Sequence, residues 1–263
     1  MRVEQGNEKA APRLPAGHPT SGALLFTLTL CAAGCAAGCD VGPPLAPATV
    51  TGLDDDFSAP ALDPAWTIVH GNTAKISVAD GNLVIQPTQN VVWYHADQGP
   101  FVHKLVTGNF KVTTIARARK ASDPTKAPDV GYQFGGLMAR APSSDAPGAK
   151  QDHVFNVVGY RGEFLSVETK TTKQDKSFVH GPPAQSGDAE LRLCRVNGRF
   201  FLHKRLIGDK KWEQAMMYKR PDLPATLQVG LIAYSYTDAF DLRASFEAIT
   251  FAPVSNADDC TKD

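Results

Sequence analysis

Residues 190–206 read ELRLCRVNGRFFLHKRL, which is two β-rich runs joined by the dipeptide Asn197-Gly198. Both residues of that dipeptide tolerate positive φ, as a two-residue hairpin turn requires. The stretch therefore predicts an antiparallel β-hairpin. Because hairpins are the units from which antiparallel all-β domains are built, this stretch favours an antiparallel all-β fold for the chain around it.

Three further runs alternate apolar and polar residues in the way of a half-buried strand. Successive side chains of a strand point to opposite faces, so every second residue shares a face. In the run at residues 226–236, Gln228, Tyr234 and Tyr236 are expected on the polar face. The predicted apolar faces lie in residues 109–119 (Phe110, Val112, Thr114, Ala116, Ala118), residues 226–236 (Leu227, Val229, Leu231, Ala233) and residues 242–251 (Leu242, Ala244, Phe246, Ala248).

Turn dipeptides recur between the β-rich runs. Asp80-Gly81 and Gly99-Pro100 are two examples, and no comparable helix signals occur between them. Many short strands joined by tight turns predict an all-β antiparallel sandwich. We expect one such domain over residues 53–252, followed by a C-terminal tail at residues 253–263.

An apolar run near the start of the chain predicts export. Residues 23–38 read ALLFTLTLCAAGCAAG, an apolar stretch that ends in small residues. This layout predicts a lipoprotein-type signal peptide over residues 1–38 rather than a membrane span, which needs about 18–20 apolar residues. Cys35 and Cys39 each follow Ala-Ala-Gly, which resembles the bacterial lipobox. Either is a candidate for lipidation. We therefore expect the protein to be located in the cell envelope, on its periplasmic or outer-surface side, with a lipid anchor as its only contact with the membrane.

Two features downstream agree with export. Residues 39–52 are rich in Pro and Gly and predict a linker between anchor and domain. After residue 52 the chain has only two cysteines, Cys194 and Cys260. In an oxidising compartment these two are candidates for one disulfide. The alternative is two unpaired thiols, and the sequence leaves both readings open.

The composition excludes several classes of protein. Lys and Arg total 27, Asp and Glu total 27, and the formal net charge is zero, so the chain lacks the positive footprint of a nucleic-acid binder. Hydrophobic residues make up 43% of the chain, too many for a disordered protein. We therefore expect a folded domain without a nucleic-acid partner.

The order of the strand and turn phrases carries a family resemblance. DDDFSAPALDPAW at residues 54–66, FGGLMAR at residues 134–140 and LQVGLIAYS at residues 227–235 are the main phrases. Together they resemble concanavalin-A-like jelly-roll domains, in particular the C-terminal domain of bacterial β-xylosidases and related families of unknown function. The resemblance spans about residues 53–252. It implies two stacked antiparallel sheets, one of them concave, and carbohydrate ligands held on the concave face or its rim loops.

A set of polar and aromatic residues is the predicted binding surface on that face. Sugars are bound by aromatic stacking on their C–H faces and by hydrogen bonds to their hydroxyl groups. The alternative is that most of these aromatic side chains belong to the core. The candidates for a non-catalytic carbohydrate site are Trp93, His95, Arg140, Asn156, Tyr160, Tyr234 and Tyr236.

Two other functions stay open. A glycoside hydrolase or lyase of the same fold needs a pair of carboxylates, and no alternating acidic pattern or other catalytic motif occurs in the sequence, so we lean against an enzyme. A protein-binding envelope lipoprotein is the second alternative. We expect no cofactor and no zinc site. Calcium bound at Asp54-Asp55-Asp56 is the one metal considered, against the alternative that these residues are a solvated start to the first strand.

Overall fold

A computed structural model describes residues 42–263, and these residues form β-strands and three short 3-10 helices. The predicted signal peptide at residues 1–38, with Cys35, lies outside the described residues, as do Cys39 and the start of the linker. The helices span Gly71–Thr73, Pro142–Asp145 and Ala257–Thr261, and none within residues 42–263 is long and apolar enough to cross a bilayer. The strands are β1 (Thr67–Val69), β2 (Ala74–Ala79), β3 (Asn82–Pro87), β4 (Phe101–Thr107), β5 (Phe110–Arg119), β6 (Tyr132–Arg140), β7 (His153–Arg161), β8 (Leu165–Lys173), β9 (Lys176–His180), β10 (Asp188–Val196), β11 (Arg199–Arg205), β12 (Glu213–Lys219), β13 (Thr226–Tyr236) and β14 (Arg243–Pro253).

The strands form two seven-stranded antiparallel sheets. The first sheet has the order β1-β4-β13-β6-β7-β8-β9, and the second has the order β12-β11-β10-β5-β14-β3-β2. The predicted all-β sandwich of two antiparallel sheets is therefore confirmed. The predicted hairpin is also confirmed, because Val196 pairs with Arg199 around a turn in which Asn197 has a left-handed φ of 55°.

The main core lies between the two sheets and draws on both. Strand β5 is buried at every second residue from Phe110 to Ala118, as the alternation predicts. In β13 the row from Leu227 to Ala233 enters the same core, while Tyr234 and Tyr236 lie on the opposite face. The first sheet thus has an inner face toward the second sheet and an outer face away from it.

The prediction for residues 242–251 was wrong at one position. Leu242, Ala244 and Phe246 are buried in the core, but the register of β14 against β5 shifts between Phe246 and Ile249. This β-bulge inserts an extra residue, so Ile249 takes the core position that strict alternation assigns to Ala248.

Both ends of the described chain are attached to the sandwich. Ala48 is buried, and its backbone N–H donates to the carbonyl of Asn109 over 2.7 Å. At the other end, Cys260 lies in the last 3-10 helix and forms a disulfide with Cys194 of β10, with a Cα–Cα distance of 5.7 Å. The disulfide fixes the C-terminal segment against the second sheet.

Candidate functional site

A short segment crosses the outer face of the first sheet. Residues 91–98, here called the covering segment, begin where Val91 pairs with Ser235 of β13. Trp93 then packs edge-on against Phe101 of β4 and His153 of β7, with ring centroids 6.2 and 5.7 Å apart. The covering segment and the outer face therefore enclose a second apolar cluster, separate from the main core.

The covering segment leaves a cavity of about 410 Å³ beside it. This outer-face cavity lies toward the end of the sheet where Tyr236, Tyr132 and Arg161 are paired neighbours on β13, β6 and β7. Its volume is in the range of small-ligand sites. The lining residues are Val92, Tyr94, Asp97, Tyr132, Arg161, Glu168, Lys170, Val179, Tyr234 and Tyr236.

The floor of the cavity is a buried charged network. The Tyr234 hydroxyl donates to Glu168 Oε1 over 3.0 Å, and Lys170 Nζ lies 3.5 Å from the same oxygen. Arg161 Nη1 lies 3.8 Å from Glu168 Oε2. Lys170 Nζ also donates to the Trp93 carbonyl over 2.6 Å, which attaches the covering segment to β8. Glu168 is therefore surrounded by donors, and the network rigidifies the floor.

Burial shifts the pKa values of two groups in this network, Lys170 and Tyr234. It lowers the pKa of the Lys170 ammonium to about 8, although Glu168 acts in the opposite direction. The ammonium lies 4.6 Å from the ring centroid of Phe155 and 5.6 Å from that of Tyr234, so aromatic faces replace part of its hydration. Burial also raises the pKa of the Tyr234 hydroxyl well above its ordinary value, and Glu168 adds to the rise. Tyr234 therefore keeps its proton, and its hydroxyl donates a hydrogen bond to Glu168.

The rim of the cavity is aromatic and exposed. Tyr94, Tyr132 and Tyr236 are 40%, 43% and 53% exposed. Arg161 lies beside them, and its Nη1 donates to the Gly181 carbonyl over 3.2 Å. Exposed tyrosine rings next to a guanidinium offer apolar faces and hydrogen-bond donors together, which is the combination that recognises polyhydroxylated ligands.

The structure brings two of the predicted site residues together at the cavity, namely Tyr234 and Tyr236. Trp93 and Arg140 lie on the same side of the sheet but are fully buried. The Arg140 guanidinium donates to Gln151, Gln228 and the Ser144 carbonyl, so no donor faces solvent. His95 is exposed on the covering segment, where it contacts the Asp175 carbonyl and the Ser177 hydroxyl through its ring and backbone.

Asn156 and Tyr160 lie on the other face of the first sheet. Asn156 belongs to the inner face with Val154 and Val158, and its Nδ2 donates to the His203 carbonyl of the second sheet over 2.8 Å. Tyr160 follows at the same alternation and is half-buried. The two residues do share a face, as their spacing predicts, but that face is the one buried between the sheets.

Eight of the ten lining residues were absent from the predicted set: Val92, Tyr94, Asp97, Tyr132, Arg161, Glu168, Lys170 and Val179. The sequence does hold a signal for two of them. Residues 165–170 alternate so that Glu168 and Lys170 share one face, opposite Val167. Two opposite charges on one face of a strand indicate a paired site, whereas the position of Tyr94 depends on how the covering segment folds.

The three consecutive aspartates near the start of the domain bind backbone and indole donors. Asp54 accepts from the Phe251 N–H, and Asp55 accepts from the Phe57 N–H and from the Trp66 indole. Within residues 42–263 no group of three or more His, Cys, Asp or Glu side chains is arranged to hold a metal ion. Calcium binding at these aspartates stays a prediction.

The two stacked sheets define a concanavalin-A-like β-sandwich, as the resemblance of the strand phrases implies. Neither a family model nor a curated protein sequence matches the chain. Among solved structures, the GH43 protein BlXynB from Bacillus licheniformis has a TM-score of 0.61 at 13% identity, over 77% of this chain and 39% of its own. A functionally unknown protein from Saccharomyces cerevisiae has a TM-score of 0.60 at 13% identity, over 73% and 98%.

Xylan β-1,4-xylosidase from Bacillus halodurans C-125 has the same fold, with a TM-score of 0.56 at 15% identity over 76% of this chain and 38% of its own. The chain thus spans about two-fifths of the length of the two Bacillus proteins. The likeness is one of fold, and the activity of those longer proteins is a separate matter.

Proposed function

We propose that the domain is a non-catalytic carbohydrate-binding module of an exported, lipid-anchored envelope protein, and that the outer-face cavity is its binding site. The observation that carries the proposal is the cavity itself. Tyr94, Tyr132 and Tyr236 surround an opening whose floor holds Glu168 and Lys170. A sugar ring fits this chemistry because its C–H faces stack on tyrosine and its hydroxyl groups exchange hydrogen bonds with charged side chains.

Solved proteins of the same fold support a saccharide as the ligand class. Two of the similar structures are a GH43 protein and a xylan β-1,4-xylosidase. Xylan and xylo-oligosaccharides are therefore the first probes. The lipobox-like motifs that end at Cys35 and Cys39 support the lipid anchor and the envelope location.

The arrangement of acids favours binding over hydrolysis. Glycoside hydrolysis uses two carboxyl groups about 5–10 Å apart, one of which delivers a proton to the leaving oxygen. Of the described residues that line the cavity, only Glu168 and Asp97 are acidic. Both oxygens of Glu168 face donors from Tyr234, Lys170 and Arg161, and Asp97 is an exposed residue of the covering segment. Neither carboxyl group is set as a proton donor over the cavity.

The test is a binding screen of the full chain, solubilised in detergent, against xylan, xylo-oligosaccharides and a panel of other polysaccharides. We expect saturable binding that Tyr94→Ala and Tyr236→Ala each weaken about tenfold, as the loss of one stacking ring implies. Phe178→Ala is the matched control, because Phe178 is an exposed aromatic residue on β9 outside the cavity.

Three outcomes would change the proposal. Release of shorter saccharides during the incubation, lost in Glu168→Gln, would replace binding by hydrolysis. Binding that the control weakens as much as the two tyrosine variants would move the site away from the cavity. No binding across the panel would withdraw the carbohydrate and leave an envelope protein as the leading partner.

A further inference from the structure

The described chain begins with a segment that is bound along one end of the sandwich. The Leu45 N–H donates to Asn197 Oδ1 over 2.9 Å, and Asn109 Nδ2 donates to the Leu45 carbonyl over 2.7 Å. The Asn109 N–H donates to the Ala46 carbonyl over 2.8 Å. Residues 42–48, here called the tether, are therefore held by several hydrogen bonds rather than attached at a single point.

Glycine at position 108 permits this close approach. Gly108 has a φ of 102°, and a Cβ added there would lie 2.4 Å from the Ala46 carbonyl oxygen. Any larger residue would push the tether away from the start of β5. Gly42 also lies against Pro221, to which an added Cβ would come within 3.3 Å. The contact surface for the tether is thus part of the fold.

All contacts of the tether lie at one end of the strands, here called the tether end. Asn197 is in the β10–β11 turn and Asn109 precedes β5. The Gly108 N–H donates to the Ala225 carbonyl over 3.1 Å, just before β13 begins at Thr226. The tether end therefore contains the first residue of β13.

The outer-face cavity lies toward the opposite end. Tyr236, the last residue of β13, pairs with Tyr132, which in turn pairs with Arg161. A strand rises about 3.3 Å per residue, so Tyr234 lies ~26 Å and Tyr236 ~33 Å from the tether end along β13. Both tyrosines line the cavity.

The length of chain between the anchor and the tether limits how the domain sits on a membrane. A residue spans at most ~3.6 Å, so the three residues from Cys39 to Gly42 reach no further than ~11 Å. The seven residues from Cys35 reach no further than ~25 Å. Both lengths are shorter than the ~33 Å that separates Tyr236 from the tether end. An inverted domain, with Tyr236 on the bilayer, is therefore out of reach.

We propose that the tether orients the domain on a lipid surface, with the tether end toward the bilayer and the outer-face cavity toward the surrounding medium. The inference rests on the proposed lipid anchor. The proposal gives the hydrogen bonds of the tether a function beyond stabilising the fold. A tether that is bound to the domain restricts how the domain can turn relative to the lipid anchor. A polymeric saccharide outside the membrane would then meet the cavity without crossing the layer of lipid headgroups.

Energy transfer to the membrane surface tests this orientation. The lipidated full chain, reconstituted in phosphatidylcholine vesicles that carry a rhodamine lipid, is labelled with a donor dye at one introduced cysteine. Pro224→Cys places the dye at the exposed tether end, and Glu163→Cys places it in the exposed β7–β8 turn near Arg161. Because Cys194 and Cys260 form a disulfide and the lipidated cysteine is blocked, the label goes to the new thiol, provided that Cys39 is replaced by serine when Cys35 carries the lipid.

We expect clearly higher transfer from Pro224→Cys than from Glu163→Cys. Insertion of about twelve Gly/Ser residues before Gly42 should remove most of the difference, because the domain can then turn freely. Equal or reversed transfer in a vesicle-bound chain would overturn the orientation and leave the anchor standing. A chain that does not float with vesicles would overturn the anchor, and with it the orientation, whereas saccharide binding in detergent is measured independently of both.

Discussion

The side-chain amide of Asn156 crosses the interior of the sandwich and donates to the carbonyl of His203 over 2.8 Å. Asn156 is on β7 of the first sheet, and His203 is on β11 of the second. The register of β11 against β12 shifts between Leu202 and His203, so this carbonyl lies where the ladder is irregular. A buried polar side chain here satisfies a backbone acceptor that an apolar residue would leave unpaired.

Replacing Asn156 should destabilise the fold rather than affect ligand binding. We expect Asn156→Ala to lower the free energy of unfolding by ~1–3 kcal/mol, because the His203 carbonyl loses its partner in a buried site. The measurement is urea denaturation with the disulfide intact. Asn72→Ala, at an exposed position, is the control and should stay within ~0.5 kcal/mol of the wild type. Equal effects of the two substitutions would contradict the role of the hydrogen bond.

The buried histidine His103 should make the protein sensitive to acid. Burial lowers its pKa to about 4, and Arg140 adds to the lowering while Asp145 opposes it. The unfolded chain binds a proton near pH 6.5, so stability is present above that pH and is lost as pH falls toward 4. We expect the wild type to lose ~2–3 kcal/mol more than His103→Leu between about pH 7 and 4. Parallel stability curves from denaturation at several pH values would refute this.

The disulfide should hold the C-terminal segment and stabilise the whole domain. Cys194 and Cys260 are 66 residues apart, and closing a loop of that length stabilises by up to ~4 kcal/mol in the chain-entropy model. Reduction should raise the intact mass by about 2 Da, since two thiols replace the bond. We expect the Cys194→Ala/Cys260→Ala protein to melt at a lower temperature. An unchanged mass on reduction would show that the two thiols are not joined.

Much of the fold follows from alternation and turn chemistry. Strand β5 is buried at every second residue, and the turn at Asn197 has the left-handed φ that its residue type permits. The error at Ala248 has a physical cause, because a β-bulge adds a residue that periodicity alone does not reveal. Alternation also places Asn156 and Tyr160 together, but it does not say which face of a sheet is covered.

The site was harder to predict because it depends on a segment without regular structure. Tyr234 and Tyr236 were placed correctly on the polar face of β13. Trp93 was expected at the ligand, yet the covering segment turns its ring into the sheet. Once that segment is in place, Tyr94 becomes part of the rim and Lys170 gains the Trp93 carbonyl as an acceptor. These are long-range contacts, and local sequence patterns do not encode them.

The charge of Lys170 at the floor of the cavity gives the last prediction. Burial lowers its pKa from the ordinary value of 10.5 to about 8. Between about pH 8 and 10 the unfolded chain therefore binds more protons than the folded chain at this residue, so its contribution to stability rises with pH. We expect the wild type to gain ~2–3 kcal/mol relative to Lys170→Met across that window.

Urea denaturation of both proteins at several pH values in that window measures the difference. Above about pH 10 the buried hydroxyl of Tyr218 lowers the stability of both proteins, because burial raises its pKa to about 12 and the unfolded tyrosine ionises first. The difference should therefore be read below that pH. If the two stability curves run parallel from pH ~8 to ~10, then Lys170 titrates as an exposed lysine, and the closed network with Glu168 and Tyr234 does not form in solution.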